Sequence, residues 1–370
     1  MPWIILILVS LLVAHVIESL LGPLTGWAQA FGIVTVGGAY AAMLAFVYMM
    51  VQMRRGNKLH TRSTSIQRLA YLGMGYLSFL LVFVLARDVL SFFSKGVSTN
   101  PRVSMAIMGV SLLSMALGYR GARYGVAIKK VEVAMPGMSR ELDGFKIVQL
   151  SDMHVSAGIR SDFVEEVVAL ANECAPDVVV LTGDIGDGNA QVYGVEAEPL
   201  SRLRAHHAKY YVTGNHEYYW GATAWIATFE KLGLKTLHNE HQVLHHKGAK
   251  ILFAGVPDGM AVTIGEEGPD PAKALGVAKE SVLPKILLSH QTRLVKTAEA
   301  EGFDLLISGH THGGQFYPWT WVVSLTDRFA HGLRKYKDMW VYVSRGTGFW
   351  GPPIRLGSPP EVTLLVLRAT

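Results

Sequence analysis

Leu305-Leu-Ile-Ser-Gly-His-Thr-His-Gly-Gly-Gln315 is the stretch whose reading decides the fold. An apolar run of strand length ends there in a glycine-rich turn that carries two imidazoles. His310 and His312 are two residues apart, a spacing that puts both side chains on one side of extended backbone. Gly309, Gly313 and Gly314 let the chain turn sharply around them. Two neutral imidazoles on one side suit a metal cluster. An H-x-H pair taken alone is equally a polar loop with two histidines, so the rest of the chain has to decide.

Upstream of that turn the same pattern recurs four times. Phe145 to Ser151 reads as a strand ending at Asp152-Met-His154, and Asp177-Val-Val-Val-Leu-Thr182 as a strand buried on both faces and ending at Gly183-Asp184. Lys209 to Thr213 leads into Gly214-Asn-His-Glu217, and Lys285 to Ser289 into His290. Between them lie helical stretches, Ser161 to Asn172 with Ser161 as its cap and Ala222 to Leu232 closed by Gly233. Two or three strands are expected between Leu234 and Pro257, and closing strands at Val341 to Ser344 and Val362 to Leu367. This alternation predicts an α/β domain. In such sheets ligands gather at the carboxyl ends of strands, so segments far apart in sequence converge on one site. Carboxylate, carboxamide and imidazole donors without a thiolate suit a borderline or hard divalent ion. Asp184 is able to bridge two ions, and two ions about 4 Å apart hold both the attacking and the departing oxygen of an in-line displacement at phosphorus.

These five blocks, in this order, resemble the D-x-H, GD-x-x-D, GNH-D/E, H and GH-x-H pattern of the calcineurin-like metallophosphoesterase superfamily, over roughly residues 140 to 370. Ser308 to Gln315, Ser344-Arg-Gly-Thr-Gly348 and Pro353-Ile-Arg-Leu-Gly357 look most like its membrane-associated bacterial branch. The resemblance implies two packed mixed β-sheets flanked by helices, and a metal-dependent phosphoric ester hydrolase. It implies that Asp152, His154, Asp184 and His312 hold one divalent ion, and that the shared Asp184 with Asn215, His290 and His310 holds a second. Manganese comes first, with iron, zinc or magnesium as alternatives. His216 matches the histidine that contacts phosphate and protonates the leaving oxygen, and Asp187 the carboxylate that orients it. Protein-phosphatase members carry a phosphate-clamping arginine after that aspartate; Gly188 stands here, which weighs against phosphoprotein substrates.

Composition adds a membrane half. The 370 residues are half hydrophobic and only 17% charged, with a mean hydropathy of +0.27, too apolar for an ordinary soluble enzyme. The excess lies before residue 120, in runs at Ile4 to Leu21, about Phe31 to Met53, Leu69 to Ala86 and Val103 to Tyr119. They predict an α-helical transmembrane bundle of about four helices over residues 1–125, ahead of the catalytic domain over 126–370. Three spans are the alternative, because the last run is short and carries Ser104, Ser111 and Ser114. Arg54, Arg55, Lys58, Arg62 and Arg68 mark an inside loop, and Arg120, Arg123, Lys129 and Lys130 follow the last span, so the catalytic domain is expected on the cytoplasmic side of a bacterial inner membrane. Arg87, Lys95 and Arg102 against Asp88 in the third loop oppose that orientation. His15 and Glu18 are expected to reach headgroups or each other.

A net charge of +5, with basic residues beside apolar runs, gives no nucleic-acid stripe. Cys174 stands alone as a core residue. His206, His207, His238, His241, His245 and His246 lie outside the blocks and read as solvated or structural. Tyr218, Tyr219, Trp220, Trp319 and Trp321 flank the blocks, as core or as a lip for a lipid or nucleobase. The expected activity is hydrolysis of phosphodiester or pyrophosphate bonds, with a lipid-linked nucleotide of UDP-diacylglucosamine type as candidate substrate. A broad phosphodiesterase or phosphomonoesterase with the spans as anchor, and a non-catalytic membrane sensor, are the competing readings.

Overall fold

Apolar helices fill the first third of the computed structural model, which describes residues 2–54, 63–94, 96–276 and 284–370. Arg55, Lys58, Arg62 and Lys95, used above for orientation, lie outside the described residues. Two units are present, Met1–Arg120 with Gly351–Leu356, and Gly121–Trp350 with Gly357–Thr370.

The first unit contains α1 (Pro2–Leu21), α2 (Gly26–Gly32) continuing through a π-helical turn into α3 (Gly38–Arg54), then α4 (Ser63–Ser91) and α5 (Pro101–Tyr124). All four expected apolar runs are helical. Among the described residues three stretches, Gly26–Ala45, Ser65–Ser91 and Pro101–Tyr124, are long and apolar enough to cross a membrane, and Ser10–Leu21 within α1 is a shorter apolar helix. Val16, Leu20, Val36, Leu80 and Met108 form this unit's core. Ile354 belongs to it as well: a Cβ on Gly75 or Gly118 would lie 2.4 or 2.3 Å from its side chain, so these two glycines make room for it. Arg87 and Asp88, read above as loop charges, stand instead on α4. There Arg87 donates to Asp88 Oδ1 (2.6 Å) and to the Ser19 carbonyl (2.8 Å). His15 pairs with Asp88 (2.8 Å) rather than with Glu18.

In the second unit the described residues form twelve strands in chain order: β1 (Ala127–Met135), β2 (Lys146–Leu150), β3 (Val178–Thr182), β4 (Ala208–Val212), β5 (Lys235–Thr236), β6 (Glu240–His246), β7 (Ala249–Gly255), β8 (Lys285–Leu288), β9 (Leu305–Ser308), β10 (Gly332–Tyr336), β11 (Met339–Val343) and β12 (Glu361–Ala369). They form two six-stranded mixed sheets, ordered β1-β12-β2-β3-β4-β5 and β10-β11-β9-β8-β7-β6. Lys129 and Lys130, taken above as membrane flanks, belong to β1. The sheets face each other because the strands alternate. Val178 and Val180 of β3 join Ile286, Leu288, Leu305 and Ile307 of the other sheet in one core. Val179 and Leu181 point the opposite way, into the layer of α6 (Ser161–Glu173), α7 (Ala190–Tyr193) and α9 (Ala222–Lys231), the last preceded in the chain by the short α8 (Asn215–Trp220). Leu287 and Leu306 likewise pack outward, against α10 (Pro271–Leu275) and α11 (Val295–Ala300). Each such fully buried side chain contributes about 1.5–3 kcal/mol of transfer free energy. A last helix, α12 (Trp319–Thr326), follows the β9 turn.

Ser161 is not a cap but the first helical residue. Arg160 takes the cap position without a side-chain bond, and the Glu196 carboxylate accepts the Ser161 N–H (3.0 Å). The neighbours β2, β3 and β4 are parallel, as are β7, β8 and β9. Their carboxyl ends therefore deliver loops to one edge.

Candidate metal centre

Three of the five blocks, those after β2, β3 and β9, leave their strands through distorted turns. Asp152, His154, Asp184, His310 and His312 all have positive φ, between 51° and 77°. Non-glycine residues are uncommon in that region, and such strain collects where the surroundings over-determine the backbone for function. The bonds that impose it are present. Asp152 N–H donates to the Gly183 carbonyl (3.0 Å), His154 N–H to the Asp184 carbonyl (3.0 Å), and His310 N–H to the Asp152 carboxylate (2.9 and 3.0 Å). Gly309 is obligatory, since a Cβ there would lie 2.2 Å from Asp152 Oδ2. Glu217, fully buried, accepts the N–H groups of Gly214 (2.7 Å), Asp184 (3.1 Å), Ile185 (2.7 Å) and Gly186 (3.0 Å) and so ties the second block to the third. Burial and the repelling Asp184 push its carboxyl up to about 7, although those N–H groups pull the other way. Beneath the site Gln149 joins the two sheets, donating to Thr182 Oγ1 (2.7 Å) and the Ser308 carbonyl (2.8 Å).

All seven expected ligands come together, as two adjoining groups. In one, the donor atoms of Asp152, His154 and His312 lie within 4.8 Å of one another, with the two imidazole Nε2 atoms 3.1 Å apart and His312 Nε2 3.6 Å from Asp152 Oδ1. In the other, His290 Nε2 lies 3.2 Å from each of Asp184 Oδ2, Asn215 Oδ1 and His310 Nδ1. Asp184 Oδ2 is also 3.9 Å from His154 Nε2, which puts this carboxylate between the groups.

The residues fit a pair of cations. His290 Nδ1 donates to the Thr182 carbonyl (2.8 Å), so in the neutral ring Nε2 is a lone pair. It points at a carboxylate, an amide oxygen and a second imidazole. Such convergence requires positive charge: either a proton on His290, where Asp184 outweighs opposing burial and pushes the ring up to about 10, or a divalent ion, which satisfies every group at once.

His216 adjoins this cluster, with a ring nitrogen within 4.8 Å of donor atoms of His154 and Asp184. Its Nδ1 is 3.1 Å from Asp187 Oδ1, close enough for a strong ion pair although the N–H direction is off the line of a good hydrogen bond. Its own N–H donates to Asp184 Oδ1 (2.8 Å). Burial opposes the charged ring, yet Asp187 with Asp184 and Glu217 pushes it up to about 9. Asp187 is held well below the usual carboxylate range, because His154 and His216 outweigh its burial.

Trp220 was grouped above with the aromatics of a lip. Its indole N–H instead donates to Asp187 Oδ1 (2.7 Å). The available signal was spacing: His216 and Trp220 are four apart on α8 and so share a face. Tyr218 is core, packed with Ala222 and Ala261 and bonded to Thr213 Oγ1 (3.1 Å). Tyr219 and Trp350 set their rings 5.2 and 5.7 Å from His216, and Gln315 fixes Trp350 through both backbone groups (2.9 and 3.0 Å). The roles of Glu217 and Trp350 were not read from the sequence. A cavity of about 530 Å³ opens at Asn215 and His310, walled by Tyr219, Met260 and Arg293.

Two facing mixed sheets with clustered aspartate and histidine at their carboxyl edge define a metallophosphoesterase, a metal-dependent phosphoester hydrolase. This chain belongs to the calcineurin-like phosphoesterases, whose family model matches residues 145–314. It is similar to an uncharacterized metallophosphoesterase of Helicobacter pylori, 36% identical over 265 residues and covering 70% of each chain. A transmembrane protein with metallophosphoesterase domain from Danio rerio is 32% identical over 309 residues, 79% of this chain and 70% of that one. Among solved structures the Haemophilus influenzae NAD nucleotidase is similar at 16% identity and a TM-score of 0.41, over 55% of this chain and 45% of that one.

Proposed function

We propose that this chain is a membrane-anchored two-metal hydrolase of phosphodiester or pyrophosphate bonds whose substrate carries a lipid. The observation that carries the hydrolytic part is the meeting of two ligand groups at Asp184, with the His216–Asp187 pair beside them. Asp152, His154, Asp184 and His312 would hold one ion, and Asp184, Asn215, His290 and His310 the other, with manganese as the first candidate. When bound, such ions stabilise charge on the attacking and departing oxygens of an in-line displacement. The protein's own residues supply the rest. Asp187 holds the His216 ring charged and oriented, and the ring nitrogen turned away from Asp187 would donate its proton to the departing oxygen as water adds to phosphorus and the P–O bond breaks. Arg293, on the cavity wall, supplies the positive charge that Gly188 cannot.

A lipid-linked substrate is favoured by α12. It begins a few residues after His312 and exposes Trp321 (64%) and Leu325 (87%), with Val322 beside them. These are apolar side chains that a soluble substrate does not require. The same chain carries three candidate membrane spans. The cytoplasmic face of a bacterial inner membrane is the location proposed, supported by Arg120 and Arg123 near the end of α5, against the opposing basic residues at the α4–α5 connection. A reporter after Thr370 that is active only outside the cytoplasm would overturn that orientation.

The test of substrate class uses the full chain in detergent with manganese, given a nucleotide-lipid pyrophosphate and a simple aryl phosphodiester. Greater kcat/KM on the lipid supports the proposal. Rapid turnover of the aryl ester with no lipid hydrolysis would leave a broad phosphodiesterase for which the helices are an anchor.

A further inference from the structure

We propose that Asp177, His207 and His246 form a separate structural site for a zinc-class divalent ion, at the edge of the domain opposite the catalytic cluster. Their donor atoms all lie within 4.8 Å of one another, and His207 Nε2 is 2.9 Å from His246 Nδ1. Asp177 immediately precedes β3 and His207 immediately precedes β4, whereas the candidate catalytic ligands follow the other ends of those strands. His246 closes β6, which belongs to the second sheet. An ion held by the three therefore clips one sheet to the other.

The ligands are held in advance. Asp177 Oδ2 accepts the Lys146 N–H (2.8 Å), and the Asp177 N–H donates to the Lys146 carbonyl (2.9 Å). The His207 N–H donates to the Asp177 carbonyl (2.9 Å), which fixes the start of one strand to the start of the next. Both imidazoles rest on Phe145, His207 stacked at 6.1 Å and 15°, His246 edge-on at 5.1 Å and 82°. Outer contacts of this kind orient ligands and raise affinity. His207 is exposed, so an ion reaches the site from solvent, while Asp177 and His246 are half-buried. A hydrogen bond between the rings would satisfy one nitrogen pair and leave the carboxylate out. Two imidazoles and a carboxylate make three ligands of a tetrahedral zinc site, with water as the fourth.

A ligand that binds only the folded state raises stability with its concentration. The full chain in detergent is stripped with chelator, reloaded with manganese, titrated with zinc chloride and analysed for total bound metal and thermal midpoint. The expected result is three divalent ions per wild-type chain and a midpoint that climbs with zinc. His207→Gln, a change at an exposed position, is expected to bind two ions and lose the climb, while its zinc-free midpoint and its turnover of an aryl phosphodiester stay at the wild-type values. Asp177→Asn is expected to show the same lost equivalent. Equal metal counts in wild type and His207→Gln overturn the proposal.

Discussion

Replacing Trp220 with phenylalanine keeps the ring and deletes one bond, the indole N–H to Asp187 Oδ1 at 2.7 Å. A hydrogen bond to a charged group contributes about 1.5–3 kcal/mol. Asp187 keeps His216 at 3.1 Å and His154 at 3.5 Å as partners, so it does not leave the site, but the oxygen facing His216 is free to swing. If about half of that energy is expressed in the transition state, kcat/KM falls roughly three- to tenfold, since 1.4 kcal/mol is a factor of ten. Asp187→Asn removes the charge itself and costs more, about 100-fold, within the range of positioned general acid catalysis. The combined variant should be no slower than Asp187→Asn alone, because Trp220 is argued to act through Asp187. The assay is manganese-dependent turnover of an aryl phosphodiester, with bound metal measured in each variant. A Trp220→Phe rate equal to wild type, or losses that multiply in the double variant, refutes the relay.

Further predictions reach the acid, the core and the rim. His216 is raised to about 9, so its proton is present below that pH and lost as pH rises through it. Because Asp187 leads the groups that raise that ring, Asp187→Asn should move the alkaline decline of hydrolysis to lower pH; a decline at the same pH in both proteins contradicts this. Trp225 is fully buried and donates to the Gly188 carbonyl (2.9 Å). Trp225→Phe should cost about 3 kcal/mol in lost packing and an unpaired carbonyl, which a melting curve reads as a drop of roughly 6–12 °C for a domain of this size. Leu325→Ser should weaken binding of the lipid-linked substrate about tenfold, from loss of one buried leucine side chain, with the aryl ester unaffected. Similar losses on both substrates would remove α12 from substrate recognition.

The site was legible because its chemistry is repeated at strand ends. Five apolar runs each stop at a residue of a type that can bind metal, and burial on both faces made β3 readable as a central strand from Val-Val-Val-Leu alone. Pairing was not legible. β1, with Lys129, Lys130 and Glu132 exposed or half-buried, looked like a charged flank, and its partner β12 lies more than 200 residues away. β10, another half-exposed edge strand, was missed for the same reason. Between Leu234 and Pro257 strands were expected in hairpins: β6 and β7 do pair that way, but β5 joins β4 in the other sheet. Residues that act through neighbours were read only as residue types. Glu217 and Trp220 lie inside or next to a recognised block, yet nothing in a string shows that one binds four N–H groups and the other an aspartate. His207 and His246 are 39 apart, and only the facing of the two sheets brings them to 2.9 Å.

Two ions joined by Asp184 would be detected by electron paramagnetic resonance of the manganese-loaded full chain. Adjacent manganese ions give a spin-coupled spectrum that an ion elsewhere on the domain does not contribute to. Wild type is expected to show that coupled signal, and Asp184→Asn to lose it together with metal-dependent hydrolysis. An uncoupled single-ion spectrum in the active wild-type protein, or an Asp184→Asn variant that keeps both coupling and activity, would contradict that assignment.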